Sequence, residues 1–186
     1  GGSEDLISLY NRFEEQQIKD LRLDAFFEVI GDEQYKMSKV GEKVYDCFVI
    51  RSAELYLNKA EAEAMLDKVE AIQTIKTLLH NRFEGGIPDV DGLSGKDLVS
   101  FIRDERRREL CFEAHRWFDL RRYAVSPKYP EKKSIRHTAY DIKGKLEGDY
   151  VLKPYGEDPA WVLPIPGYEI VYNQGNLVDN PQRVDR

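Results

Sequence analysis

The chain has 186 residues, 41% hydrophobic and 33% charged, with 28 lysines and arginines against 34 acidic residues for a net charge of −6. That length suits one globular domain, or one part of a larger one, with enough apolar residues to bury a core. The acidic balance is the wrong sign for a duplex-binding protein, which needs basic residues to neutralise phosphates, and no apolar run approaches the ~20 residues of a membrane-spanning helix.

Residues 3–30 open with Leu6, Tyr10 and Phe13 at helical spacing, followed by the denser stretch DLRLDAFFEVI. Gly31-Asp32 and Gly41-Glu42 then punctuate EQYKMSKV and KVYDCFV, which read as short extended segments joined by turns. From Val49 the helical signal sharpens. Val49, Ala53, Tyr56, Ala60 and Ala64 form one stripe of mostly small residues, which lets a second helix approach closely. Asp67 with Glu70 three residues later resembles a capping box. It predicts a second helix through VEAIQTIKTLLHNRF with Val69, Ile72, Ile75 and Leu79 facing inward. Residues 49–82 then form a helical hairpin close in size to the ~34-residue tetratricopeptide unit, without that unit's full residue pattern.

EGGIPDVDGLSG is a Gly- and Asp-rich loop. Ser94 with Asp97 predicts the cap of a third helix that opens at DLVSFI and runs to about Tyr123. Residues 124–160 hold four prolines and three glycines and read as a long loop or short hairpins. In the closing stretch WVLPIPGYEIVYNQGNLVDNP, two prolines keep residues 163–166 extended and outside any sheet centre, and Gly167–Tyr172 suits a short helical turn.

The most informative segment is ERRRELCFEAHRWFDLRRY, residues 105–123. At 100° per residue, Leu110, Cys111, Ala114, Trp117 and Phe118 gather on one side. Leu98, Ile102, Phe112, Leu120 and Tyr123 gather nearly opposite, with Glu105, Glu109 and Arg116 inside that second stripe. A helix apolar on two faces is sandwiched between other elements, and charges in its stripes must be paired. Three readings compete. A nucleic-acid helix would gather its arginines on one exposed face, whereas Arg106, Arg107, Arg108, Arg116 and Arg121 point in different directions. A di-metal or catalytic helix would use Glu105, Glu109 and Glu113, but His115 stands two residues after Glu113 rather than the three that Glu-x-x-His requires. The third reading is structural: an Arg/Glu network locks this helix to its neighbours, with Arg51, Glu54 or Glu61 as partners on the first long helix.

His80 and His137 have no ligand-like neighbours, and no phosphate loop, G-x-S-x-G, H-E-x-x-H or zinc spacing occurs. The sequence therefore predicts no catalytic residue, metal or cofactor. Cys47 and Cys111 read as two buried thiols or as one disulfide. The 11 tyrosines and 2 tryptophans could stack on sugars as well as pack a core.

Three stretches taken together, IRSAELYLNKAEAEA (50–64), ERRRELCFEAHRWFDLRRY (105–123) and LPIPGYEIVYNQGNLVDNP (163–181), resemble the C-terminal half of SusD/RagB-type outer-membrane proteins in order and spacing. Two features depart from that pattern. The glycine often found after the motif's glutamate is Ala114, a mild change on a helix. The tail reads Asn173-Gln174 and Asp179-Asn180-Pro181 where Asn-Pro and Gln-Asn-Pro are common. The resemblance implies a mainly α fold with tetratricopeptide-like helical hairpins, long irregular loops and an extended C-terminal segment. Its expected parts are 1–48, a remnant of a larger domain; 49–123, the helical scaffold; 124–160, a loop excursion; and 161–186, the LPIP segment; together they make one C-terminal unit.

It further implies a non-enzymatic, glycan- or nutrient-binding lipoprotein on the surface of Bacteroidota, which hands oligosaccharide to a TonB-dependent (SusC-like) outer-membrane transporter. The anchor would be an N-terminal cysteine upstream of this chain, a role matched by neither Cys47 nor Cys111. A tetratricopeptide-like protein–protein adaptor without glycan binding is the alternative. Within the matched motifs, Arg51, Glu54, Glu105, Arg106, Glu109, Glu113, Arg116, Asp119 and Arg121 are expected to determine the fold. The sugar-contacting residues lie elsewhere, and Tyr140, Tyr150 and Tyr155 are candidates by composition.

Overall fold

The computed structural model describes residues 2–31, 34–39, 50–141 and 143–181; the second extended stretch expected around Cys47 lies outside the described residues, as does Val49. The chain is mainly α and divides into two compact units, Gly1–Arg116 and Trp117–Arg186.

In the first unit, α1 (Glu4–Tyr10) passes into a 3-10 turn at Asn11–Gln16. There follow β1 (Lys19–Asp20), α2 (Leu21–Phe26) and the antiparallel hairpin of β2 (Phe27–Gly31) and β3 (Gln34–Met37). The Asp20 carboxylate starts α2 by accepting from the Arg22 N–H at 3.0 Å, satisfying an amide that the first turn leaves open. Next come α3 (Ser52–Met65), α4 (Glu70–Leu79), β4 (Phe83–Glu84), which pairs antiparallel with β1, and α5 (Gly95–Glu109). Helix α3 packs against both α4 and α5.

The alanine stripe of α3 explains that packing. Ala53, Ala60 and Ala64 are buried, and Leu57 completes the stripe where Tyr56 was expected; Tyr56 turns outward. Spacings of four, three and four keep 53, 57, 60 and 64 on one face. On α4 the inner face is Ala71, Thr74, Ile75, Leu78 and Leu79, while Val69 is 85% exposed. The expected capping box does not form: Val69 is the N-cap of α4 and no side chain caps it. Asp67 closes α3 instead. It sits at φ +54° in a Schellman turn, with its own N–H donated to Ala64 O at 3.1 Å and the Lys68 N–H donated to Glu63 O at 2.9 Å. Ser94 is the N-cap of α5, in extended conformation but without a side-chain bond into the helix.

The predicted continuous third helix is broken. α5 ends at Glu109, and α6 (His115–Ala124) begins only after Phe112 and Ala114 have both turned left-handed, at φ +61° and +62°. The two faces drawn for a straight helix therefore hold only as far as Cys111: Phe112 and Phe118, placed on opposite inner stripes, are both exposed. Ala114 is not a mild change on a helix but an L-residue in a conformation that glycine adopts without strain.

The core of this unit contains Leu6, Ile7, Tyr10, Phe27 and Cys111, packed by Leu9, Leu23, Phe26 and Tyr35. Phe13 meets the Phe83 ring edge at 5.9 Å between centroids. Cys111 is a free, buried thiol, which the Tyr10 hydroxyl reaches at 3.3 Å.

The second unit takes in most of α6, an antiparallel hairpin of β5 (Ile135–Tyr140) and β6 (Leu146–Leu152), a 3-10 turn at Pro159–Trp161 and α7 (Gly167–Tyr172). Its core is Leu120, Leu152 and Trp161, with Trp117 stacked on Trp161 at 4.5 Å between centroids. The LPIP segment runs free of regular structure and is tied back by its own tail. Asp179 accepts from the Ile165 N–H at 2.8 Å, and Asn180 Nδ2 donates to Leu163 O at 2.7 Å. None of the residues of α7 is buried.

Replacing Ala114 with glycine should stabilise the chain by about 1 kcal/mol, because it relieves a left-handed L-residue. Urea denaturation would show a raised midpoint. A lowered midpoint, expected of glycine inside a continuous helix, would contradict the break.

Candidate functional site

The side chains that the sequence singles out converge on a buried ionic cluster. Successive carboxylates on α5 and the turn after it, Glu105, Glu109 and Glu113, project toward α2, the start of α3 and the end of α4. Glu105 is fully buried. It accepts from Arg22 Nη1 at 2.5 Å on one oxygen and from Arg108 Nη2 at 2.5 Å and Nε at 3.0 Å on the other. Glu109, 1% exposed, accepts from Arg51 Nη1 at 2.6 Å, Arg82 Nε at 2.8 Å and Nη2 at 3.0 Å, and Arg22 Nη1 at 2.9 Å. Glu113 receives a two-point bond from Arg51, at 2.8 and 2.9 Å, and an ion pair from Lys39. Arg22 closes the cluster with a second fork onto Asp20, at 2.7 and 2.9 Å.

The break after Glu109 has a purpose visible here. Arg51 Nη2 and Lys39 Nζ both donate to the Glu109 carbonyl, at 2.5 and 2.6 Å, an oxygen that an uninterrupted helix would have used for its own ladder. Lys39 also reaches the Cys111 carbonyl at 3.1 Å.

Burial works against ionisation of each of these carboxyls, and the arginines overcome it. For Glu109 the hydrogen bonds from Arg82 and Arg51 and the charge of Arg22 outweigh desolvation and hold the carboxyl down at about 2. Glu105, through Arg22 and Arg108, and Glu113, through Arg51 and Lys39, are held below the usual range in the same way. Burial pushes the Lys39 ammonium down in spite of Glu113, and pushes the Cys111 thiol up, away from reactivity. Carboxylates whose oxygens are filled by guanidinium donors are poorly placed to take a metal ion or to move a proton. Among the described residues, no group of three or more His, Cys, Asp or Glu side chains is arranged to hold a metal ion.

Ion pairs link α5 to α3 and its N-cap. Arg51 bonds Glu109, Glu54 lies 3.8 Å from Arg106, and Glu61 accepts from Arg103 at 3.3 Å. Arg106 also donates to Asn58 at 2.7 Å, and His115 lies 3.9 Å from Glu54. Burial pushes the Asp5 carboxyl of α1 up, but the bonds from Ser3 and Arg107 and the charges of Arg107 and Arg116 outweigh it and hold the carboxyl down. Asp119 accepts from Arg122 at 2.8 Å and the Arg121 guanidinium lies over Tyr155, 5.2 Å from its centroid, both within the second unit. Sequence reasoning missed Asp20, Arg22, Lys39 and Arg82. For Asp20 and Arg22 a signal existed, because charged residues inside the apolar run DLRLDAFFEVI need partners.

The candidate aromatics separate. Tyr140 and Tyr150 lie on the hairpin strands rather than in loops and are exposed, at 61% and 44%. Tyr155 instead packs edge-on against Trp161 at 5.8 Å, so it is part of the small core.

With that geometry in hand, comparison with known proteins identifies the class. The SusD family profile matches residues 22–182, and the chain belongs to that family. The match spans every arginine of the cluster and every carboxylate except Asp20. Two proteins of Formosa agariphila are similar to it. SusD-like protein P38 is 35% identical over 113 residues, 56% of this chain and 21% of that protein. SusD-like protein P2 is 27% identical over 147 residues, 71% of this chain and 25% of that protein. The chain thus spans about a quarter or less of the length of these curated relatives. No solved structure matches it significantly.

Alanine replacement of Arg51 and Glu109, singly and together, should give a coupling free energy of about 1–3 kcal/mol in chemical denaturation, where additive losses would refute the pairing. The pH dependence has a definite sign. The folded Glu109 pKa of about 2 lies below its ordinary 4.5, so its contribution is present above pH 4.5 and lost as pH falls toward 2. Denaturation between pH 6 and 2 should show a loss on the order of 3 kcal/mol from this group, absent in Glu109→Gln.

Proposed function

We propose that this chain is the C-terminal portion of a non-enzymatic, glycan- or nutrient-binding lipoprotein of a Bacteroidota outer-membrane uptake complex. The observation that carries this reading is the SusD family match over residues 22–182. The ionic cluster supports it by accounting for the charged motif as scaffold, which leaves the recognition surface to the segments that the scaffold carries. The α3–α4 hairpin acts as a tetratricopeptide-like unit of that scaffold. Anchoring is by an N-terminal lipid on a cysteine of the longer protein. Among the described residues no helix is long and apolar enough to cross a membrane. Captured oligosaccharide passes to a TonB-dependent, SusC-like transporter.

Exposed tyrosines on β5 and β6 suit an extended glycan, since an aromatic ring offers a flat apolar face to the C–H side of a sugar. Calorimetric titration of the complete protein with a panel of polysaccharides should show binding. Replacing Tyr140 and Tyr150 with alanine should weaken it roughly tenfold. Absence of binding to any polysaccharide would overturn the proposal.

A second reading, a protein-binding adaptor, is favoured by α7, whose Tyr168, Val171 and Tyr172 are exposed, as are Leu163 and Val178 in the segments on either side of it in the chain. Co-purification with a β-barrel partner in the absence of any sugar affinity would select that reading instead.

A further inference from the structure

Residues 162–178 have the composition of a core and the exposure of a surface. Glu169 is their single charged residue, in a chain that is 33% charged. Yet no residue of α7 is buried. Tyr168, Val171 and Tyr172 lie largely in solvent, the last 81% exposed, and Leu163 and Val178 are exposed as well. Positions 168, 171 and 172 fall at i, i+3 and i+4, so these three side chains share one face of the helix. Two tyrosines and a valine there present on the order of 300 Å² of surface, the size at which an apolar patch on a monomer marks an interaction site.

These side chains are not what shapes the segment. Pro164 and Pro166 fix the extended approach to α7. Beyond the helix, Gln174 and Gly175 turn left-handed at φ +51° and +82°, and the Asn176 N–H donates to Asn173 O at 2.9 Å. The bonds from Ile165 N–H to Asp179 and from Asn180 to Leu163 O then join the two ends of the loop. Backbone and polar bonds thus preset the loop and leave its apolar side chains outside. A face held in shape in advance loses little entropy when it is covered, which favours docking.

The charge pattern selects the kind of cover. A membrane surface attracts a protein segment through lysine and arginine. Residues 162–181 contain neither and carry Glu169 and Asp179. A transient protein contact is about as polar as ordinary surface, whereas a permanent one is more apolar and resembles a core cut in half. The segment has the second composition. The same polypeptide is the most direct source of a permanent cover. The family match runs through the segment to residue 182, and the regions matched in the two relatives are only 21% and 25% of their lengths.

We propose that the face of α7 formed by Tyr168, Val171 and Tyr172 is an intramolecular docking surface, covered by the part of the longer polypeptide that lies N-terminal to this chain. The receiving surface is apolar, with a lysine or arginine opposite Glu169. The assignment rests on the reading of this chain as a C-terminal portion and is independent of what the protein binds. Once covered in this way, α7 is closed to a partner in trans.

The test uses the complete protein, purified without a transporter or any sugar, with the photo-crosslinker p-benzoylphenylalanine introduced at Tyr172. Irradiation should give an intramolecular crosslink to a residue preceding this chain, identified by peptide mass spectrometry, in a yield independent of protein concentration. Val171→Asp, which changes helix propensity little, should lower the melting temperature of the complete protein by about 2–4 °C or more. The same substitution on an open surface would leave it nearly unchanged. The proposal is overturned if the probe crosslinks only to a second copy or to another protein, if it crosslinks to nothing, or if Val171→Asp melts like the parent. A natural gene product no longer than this chain would refute both the docking and the reading of the chain as a C-terminal portion. A longer product whose probe fails to crosslink within itself refutes the docking alone.

Discussion

The carboxylate of Glu109 sits almost out of reach of water and receives guanidinium donors from Arg22, Arg51 and Arg82. These three residues come from α2, the N-cap of α3 and the turn that ends α4, so one side chain joins four stretches of chain. Removing a carboxylate from water costs several kcal/mol, and the attraction of its partners offsets this only when every donor is in place. The consequence is a strong dependence on register. Sliding α5 by one residue against α3 would leave the buried Glu109 without the half-buried Arg51, a far larger penalty than the loss of a few apolar contacts. Glu105 and Glu113 repeat the arrangement one turn on either side, sharing Arg22 and Arg51 with Glu109, which makes the cluster a single unit rather than a set of independent pairs.

The same constraint explains the backbone. A continuous helix from Ser94 to Tyr123 would keep the Glu109 carbonyl in its own ladder. The chain instead stops there, gives that carbonyl to Arg51 and Lys39, and turns through Phe112 and Ala114 in left-handed conformations before helix resumes. Local strain in two residues is tolerated because the buried charges over-determine the geometry around them.

Much of this was legible in the sequence, for identifiable reasons. The alanine spacing of α3 placed the helix and its buried face, and the glutamates lying within an apolar stripe of α5 marked charges that had to be paired. Two prolines and a glycine placed α7 residue for residue. What could not be read was long-range. Arg22 and Glu105 are 83 positions apart, and nothing local in HNRFE distinguishes Arg82 from a surface arginine. Periodicity also carries across a break that only tertiary bonds impose, which is why the helix ran on through Ala114 in the sequence reading. Asp67 had the right chemistry for a helix start and was used for a helix end, since an Asp in left-handed conformation serves a Schellman turn as readily as a cap.

A scaffold held by buried charges allows the surfaces it carries to vary while the frame stays fixed. The claim that the ionic cluster is the frame is tested most directly at Arg22, which touches Asp20, Glu105 and Glu109 at once. Urea denaturation of Arg22→Met, which keeps the side chain's bulk and removes its charge, should show a loss of about 3–5 kcal/mol, because three carboxylates are left short of a buried partner. A variant within about 0.5 kcal/mol of the parent would contradict the account and return the fold to its apolar packing alone.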